Sequence, residues 1–166
     1  PAGAAANGYK ALAFHGVGQD YPVYDELQEH VIGPGLASQG GQHVGTVLYS
    51  RGMYAALVIA EAIRKAQELA GTSAINATQL RDGFEQLEIT PERLVELGLP
   101  DFGPPITTSC ENHGGSGMVR LQQWDASAGK WNLITDFMEP DQEVLQPLIE
   151  EDSAAYAAEA GVQPRC

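Results

Sequence analysis

The stretch VGTVLYSRGMYAALVIAEAIRKAQELAG, residues 44–71, carries the strongest helix signal in the chain. Ser50 is a residue type that caps helix N-termini, and Gly71 lies where a left-handed glycine commonly ends a helix. Apolar residues recur at helical spacing along one side: Met53, Leu57, Ala60 and Ile63. The stretch therefore predicts a long amphipathic helix whose apolar side packs against other elements.

Toward the N-terminus, the sequence predicts one strand, one helix and a loop. The apolar run from Ala11 to Phe14 is bounded by glycines and indicates a buried strand. A helix follows, with Asp20 as its predicted cap and Pro22 in its first turn, and the glycines at 33 and 35 end it. The polar, glycine-rich residues 36–45 are expected to form a loop.

Toward the C-terminus, local signals predict two short helices, a hairpin and a final helix. Asn76 and Gln79 have capping-box spacing, and Thr90-Pro91 opens a short helix that Gly98 closes. Residues 118–137, MVRLQQWDASAGKWNLITDF, alternate apolar and polar positions on both sides of a small turn, which is typical of a β-hairpin. Pro147 is expected to begin the last helix, which reaches about residue 160.

The composition of the chain predicts a packed core and excludes some classes of binding partner. The 166 residues suffice for one ordinary domain or for pieces of two small ones, and 43% are hydrophobic, which predicts a packed core. The formal net charge of −13 repels phosphate backbones and anionic lipid, so nucleic acid and membrane surfaces are poor partners. No apolar run is long enough to span a bilayer, and the first residues do not have the pattern of a signal peptide. We expect either a cytoplasmic protein or a mature or trimmed chain.

The sequence predicts too few strands for the number of its amphipathic helices. Three strands cannot cover the apolar faces of four or five amphipathic helices in an α/β layer. The sequence therefore indicates part of a larger α/β protein whose first half lies outside this chain.

The order of several segments resembles the C-terminal part of periplasmic solute-binding proteins of ABC importers, of the branched-chain amino acid type. These segments are GYKALAFHGVG (8–18), the stretch at 44–71, LRDGFEQL (80–87), GPPITTSCENHGGSG (103–117), VRLQQWD (119–125) and WNLITDF (131–137). The resemblance implies an α/β protein of the type I binding-protein fold, with two three-layer lobes joined by hinge strands and a ligand in the cleft between them. It covers nearly the whole chain, but only about the second half of such a protein.

The resemblance also implies domain boundaries and site residues. Residues 1–14 correspond to the end of the second lobe and a hinge, 15–118 to part of the first lobe, and 119–166 to the return into the second lobe. The aromatic residue five positions before the Tyr-Ala-Ala helix motif contacts the ligand in the family, and here it is Tyr49. His15, at the predicted hinge, borders the cleft in this interpretation. The family's main ligand-binding residues lie outside this chain.

The stretch TSCENHGGSG, residues 108–117, suggests three kinds of active site, each with an objection. A Cys110–His113 dyad could activate a thiolate, but residues three apart in an extended segment point to opposite faces. A zinc site lacks a second ligand pair at recognisable spacing. A phosphate loop needs a following helix, whereas a strand follows here. A glycine-rich turn is the favoured interpretation; a structural disulfide between Cys110 and Cys166 is compatible with it, and His113 has no assigned role.

The leading functional hypothesis is thus the extracytoplasmic substrate-binding component of an ABC transporter. It would bind an amino acid or related small polar or carboxylate solute without catalysis, cofactor or metal, and its closed form would dock on a membrane permease in the periplasm. A ligand-sensing regulator or receptor of the same fold is one alternative. A thiol hydrolase using Cys110 is an alternative of another class.

Overall fold

The computed structural model describes residues 3–163 and 166. Residues 1–2 and 164–165, at the outer ends of the predicted domain ranges 1–14 and 119–166, lie outside the described residues. Helices and strands occur in the following order: a 3-10 turn at Gly3–Ala6, β1 (Lys10–Ala13), α1 (Pro22–Leu27) continued by a π-helical turn (Gln28–Ile32), α2 (Val47–Ala70), α3 (Ala77–Glu85), β2 (Glu88–Ile89), α4 (Pro91–Glu96), β3 (Ile106–Thr107), β4 (Arg120–Asp125), β5 (Lys130–Leu133) and α5 (Gln142–Ala160).

A three-stranded antiparallel sheet brings together a strand near the N-terminus and a hairpin from the C-terminal part of the chain. Its order is β1-β4-β5, so the N-terminal strand pairs with the first strand of the predicted hairpin, with Leu12 opposite Leu121. Trp124 lies opposite Trp131 in the hairpin register, as the alternation at 118–137 predicts. We call these three strands the junction sheet.

Helices α1–α4 and the two-residue strands β2 and β3 form a second part, which we call the helical unit. Its core contains mainly aliphatic residues and one phenylalanine: Leu57, Ala62, Leu87, Ile89, Leu94, Leu99, Phe102 and Ile106. Helices α2 and α3 pack closely because Gly83 has no side chain; a Cβ there would lie 2.4 Å from the carbonyl oxygen of Ala62. The sequence patterns did not reveal β2 and β3, which are too short to show alternation.

A buried carboxylate lies at the edge of this core. Glu61 is only 4% exposed and accepts hydrogen bonds from Arg93 Nη2 at 2.9 Å and Arg64 Nε at 3.0 Å. The hydrogen bonds from Arg93, and then those from Arg64, hold the pKa of Glu61 below its usual range against the opposing effect of burial. The ion pair thus joins α2 to α4.

Several predicted helix boundaries are correct. The capping box at Asn76 and Gln79 is present, Thr90 caps α4, and Gly71 ends α2 in the left-handed conformation with φ 64°. These signals are correct because each depends on residues within one turn of the boundary.

Three predicted helix starts are wrong. The predicted cap Asp20 lies one residue before the N-cap position of α1, which is Tyr21 and makes no side-chain capping bond. Thr46, rather than Ser50, caps α2; Ser50 is buried inside the helix, where its hydroxyl shares a 3.2 Å hydrogen bond with that of Tyr24. Helix α5 begins before Pro147, because Asp141 accepts hydrogen bonds from the N–H groups of residues 143 and 144.

Helix α5 lies at the surface of the described structure. It contains no buried residue, and its exposed apolar side chains include Leu145, Leu148, Ile149 and Tyr156. Beyond it, Cys166 forms a disulfide with Cys110, which ties the C-terminal tail to the turn before β4. No helix in the described part of the chain combines the length and apolar character of a bilayer span.

Candidate functional site

Tyr49 lies in the first turn of α2 rather than just before the helix. Its backbone N–H donates to the side chain of Thr46, its ring is half-buried, and its centroid is 6.2 Å from that of Tyr24. The role of Tyr49 in ligand binding stays a prediction.

His15 is buried among aromatic rings at the end of β1. It is 2% exposed, stacks on Phe102 with centroids 6.1 Å apart, and contacts Phe14 edge-on at 4.8 Å. Its Nδ1 lies 2.8 Å from the carbonyl oxygen of Gly16. Burial is the main cause that lowers the pKa of His15, so the neutral ring, with Nδ1–H donating to that carbonyl, is favoured. In this position His15 packs among aromatic rings; its predicted places at a hinge and at a ligand cleft stay predictions.

The stretch at 108–117 is a turn held by its own hydrogen bonds. Ser109 Oγ donates to Glu111 at 2.9 Å, and Asn112 Nδ2 donates to the carbonyl of Gly115 at 3.0 Å. The sulfur of Cys110 is engaged in the disulfide and offers no thiolate in this form. His113 is exposed, with Nε2 3.8 Å from a carboxylate oxygen of Glu85. Within residues 3–163 and 166, no three His, Cys, Asp or Glu side chains are grouped to hold a metal ion.

A cavity of about 440 Å³ lies where the helical unit meets the hairpin of the junction sheet. We call it the junction cavity. The helical unit contributes residues 17–20, which follow β1, and residues 44–47, which lead into α2. The sheet contributes Trp124 and residues 129–131. Tyr49 and His15 are not among the lining residues, although Thr46 and Val47 line the cavity within the same helix start as Tyr49.

Two loops form one wall of the junction cavity by close approach. The N–H of Gly18 donates to the carbonyl of Gly45 at 2.8 Å, and Gln19 Nε2 donates to the carbonyl of Val44 at 2.9 Å. Gly45 has φ 78°, and a Cβ there would lie 2.6 Å from the carbonyl oxygen of Gly18. Only glycine fits this position without strain and without separating the loops.

The opposite wall is aromatic. The indoles of Trp124 and Trp131 are 5.4 Å apart at 60°, and the ring of Tyr9 supports Trp131 at 6.1 Å. The lining contains two charged residues, Asp20 and Lys130. The lining as a whole is about as polar as it is apolar, and its polar groups can orient a small solute against the aromatic wall.

The junction cavity differs from two openings of comparable size on the helical unit. These have volumes of about 420 and 540 Å³ and share Val58, Thr108 and His113 in their linings. The exposed lining of both is mainly apolar, although the second also contains Arg81 and Glu85, and such surfaces commonly pack against further polypeptide. The junction cavity instead has about as much polar as apolar lining and lies between the two parts of the chain, so we take it as the candidate for binding a small polar solute.

Arg120, at the start of β4, holds the two parts together. It is 2% exposed, and its Nη1 and Nη2 donate to the carboxylate and the carbonyl of Asp101 at 2.8 and 2.9 Å. Its guanidinium also lies 4.4 Å from the ring centroid of Phe137. A buried arginine on β4 thus anchors the sheet to the helical unit. The alternation of apolar and polar residues places Arg120 among the polar positions, between Val119 and Leu121, so the sequence pattern did not indicate its burial.

The sequence patterns missed the residues that form the cavity. Gln19, Gly45 and Lys130 belong to loops or to a strand end, where no periodic signal exists. The one available signal was the pair of tryptophans in the hairpin, whose mutual packing was predicted without any role at a cavity.

Two solved structures are similar to the chain. A protein described as an ABC transporter permease from the Pseudomonas fluorescens group is 36% identical, with a TM-score of 0.90 over 100% of this chain and 40% of its own. A branched-chain amino acid ABC transporter protein from Thermus thermophilus, with bound valine, is 21% identical, with a TM-score of 0.62 over 86% of this chain and 37% of its own. Both are ABC transporter proteins. No protein-family model matches the chain, and no curated protein matches it significantly.

These similarities confirm the α/β fold class, including the relation to the two-lobed binding-protein fold that the sequence implied. The chain spans about two fifths of the length of each structure, so both contain further polypeptide beyond the matched region. The prediction of a missing partner segment is consistent with this coverage. The predicted domain boundaries remain predictions.

Proposed function

We propose that the chain is the C-terminal part of an extracytoplasmic solute-binding component of an ABC transporter. It binds an amino acid or a related small polar or carboxylate solute between two lobes and delivers it to a membrane permease without catalysis. The junction cavity carries this proposal, because a cavity with one aromatic wall and two charged side chains lies where the two parts of the chain meet. The similarity to ABC transporter proteins, one of them with bound valine, supports it.

The geometry fits binding by closure. The helical unit and the junction sheet are covalently joined at two crossings, after β1 and before β4, and both contribute to the cavity lining. A solute that contacts both sides favours the closed arrangement over the open one, which is how a ligand shifts a hinge equilibrium. The closed form then presents a shape that a permease can distinguish from the open form.

The test uses the longer gene product that contains this chain. Thermal unfolding is measured with a panel of amino acids, amides and small carboxylates, followed by calorimetric titration of any solute that raises Tm. We expect at least one solute to stabilise the longer product, and the same solute to bind the 166-residue chain weakly or not at all, because part of the cleft is absent. If the whole panel leaves Tm unchanged, or if the chain alone binds as tightly as the longer product, the two-lobed binding function is wrong.

A further inference from the structure

We infer that the solute of the junction cavity is an amino acid with an aromatic side chain. This inference rests on the proposed function and specifies its substrate class. The ring would pack on the indoles of Trp124 and Trp131, the carboxylate would pair with Lys130, and the ammonium would pair with Asp20.

The aromatic wall supplies the first argument. Both tryptophans of the chain line this one cavity. Tyr9, which is not a lining residue, contacts the indole of Trp131. The indoles meet edge to face at 5.4 Å and 60°, an arrangement to which a further planar ring can add. A small aliphatic side chain would leave much of this apolar surface in contact with water.

The charges supply the second argument. Asp20 and Lys130 line the same cavity, yet among residues 3–163 and 166 neither forms a salt bridge, with the other or with a third group. Both side chains are exposed and can reach a solute. Lys130 lies opposite Asp125 in the hairpin and attracts its carboxylate, so a solute carboxylate competes with Asp125 for this charge. A carboxylate alone would meet the repulsion of Asp20, and an amine alone would meet that of Lys130. A zwitterion pairs with both at once.

The experiment measures dissociation constants by calorimetric titration of the longer gene product with four probes: phenylalanine, valine, phenylacetate, which lacks the ammonium group, and phenethylamine, which lacks the carboxylate. We expect phenylalanine to bind about tenfold or more tightly than the other three, since each lacks one of the three contacts.

Variants then separate the contacts. Trp131→Leu should weaken phenylalanine about tenfold and leave valine nearly unchanged, and Trp131→Phe should recover most of the loss. Lys130→Gln should weaken phenylacetate and tighten phenethylamine, because it removes the charge that pairs with the first probe and repels the second. Asp20→Asn should do the reverse. Lys10→Gln, on the exposed face of β1 outside the lining, is the matched charge control and should change nothing.

The outcomes distinguish the two levels of the proposal. If a solute binds but Trp131→Leu and Lys130→Gln leave every dissociation constant unchanged, the substrate class is overturned and the binding function stands. Valine binding more tightly than phenylalanine has the same meaning. If no amino acid, amide or carboxylate binds the longer product at all, both the substrate class and the binding function are refuted.

Discussion

Replacing Gly45 by alanine tests the wall of the junction cavity. Gly45 has φ 78°, and the added Cβ would lie 2.6 Å from both the carbonyl oxygen of Gly18 and Cγ of Gln19. The left-handed backbone costs an alanine about 1 kcal/mol. The steric overlap adds about 1–3 kcal/mol, because backbone atoms on the facing loop must move. The free energy of unfolding should therefore fall by about 2–4 kcal/mol.

Gly71→Ala is the matched control. Gly71 has φ 64°, but a Cβ there meets no atom within 4 Å. It should lose only the backbone component of about 1 kcal/mol. Urea unfolding of the longer gene product, followed by circular dichroism, gives both free energies.

The difference between the losses in free energy of unfolding of the two variants measures the cost of overlap between the two closely approaching loops. If Gly45→Ala loses no more stability than Gly71→Ala, the two loops do not meet as described, and the cavity wall built from them is refuted. An increase in the solute dissociation constant that accompanies the larger loss would show that the same wall serves binding.

Three further predictions concern packing, the disulfide and pH. Gly83→Ala should lower Tm because its Cβ would overlap α2, whereas Gly52→Ala, in an open helical position, should stabilise by about 1 kcal/mol. Cys110→Ser or Cys166→Ser should reduce the free energy of unfolding by about 4 kcal/mol in the loop-entropy estimate, and thiol titration of the folded wild type should find no free thiol. The folded-state pKa of Glu61 is lowered, so its ion pair contributes fully to the free energy of unfolding above about pH 4.5. This contribution is lost as the pH falls through the folded-state pKa. Denaturation curves should therefore show that the wild type loses more stability on acidification than Glu61→Gln.

Much of the local structure was predictable because its causes are local. The capping box at Asn76, the glycine stop at Gly71 and the alternation through the hairpin each depend on a few neighbouring residues. The start of α2 was misplaced because Ser50 and Thr46 are both good caps by residue type. Ser50 instead lies buried within the helix and is hydrogen-bonded to Tyr24, a distant residue whose contact no local pattern shows.

The candidate site was less predictable because it depends on contacts between distant segments. The hydrogen bond from Gln19 to Val44 and the approach of Trp124 to the same cavity join three separate parts of the chain. No spacing rule encodes such contacts. The family resemblance pointed to the start of the long helix at Tyr49, where Thr46 and Val47 line the cavity, but not to the other lining residues.

The pairing of β1 with β4 makes the helical unit an insertion in the topological sense. Ala13 and Arg120 are cross-strand partners, so the chain leaves the sheet and re-enters it at points only about 5 Å apart. A short turn could span that distance, which means that residues 14–119 could in principle be excised and the sheet closed as a simple meander. Conversely, the same two positions would accept a different inserted domain, such as a fluorescent reporter, whose termini lie close together.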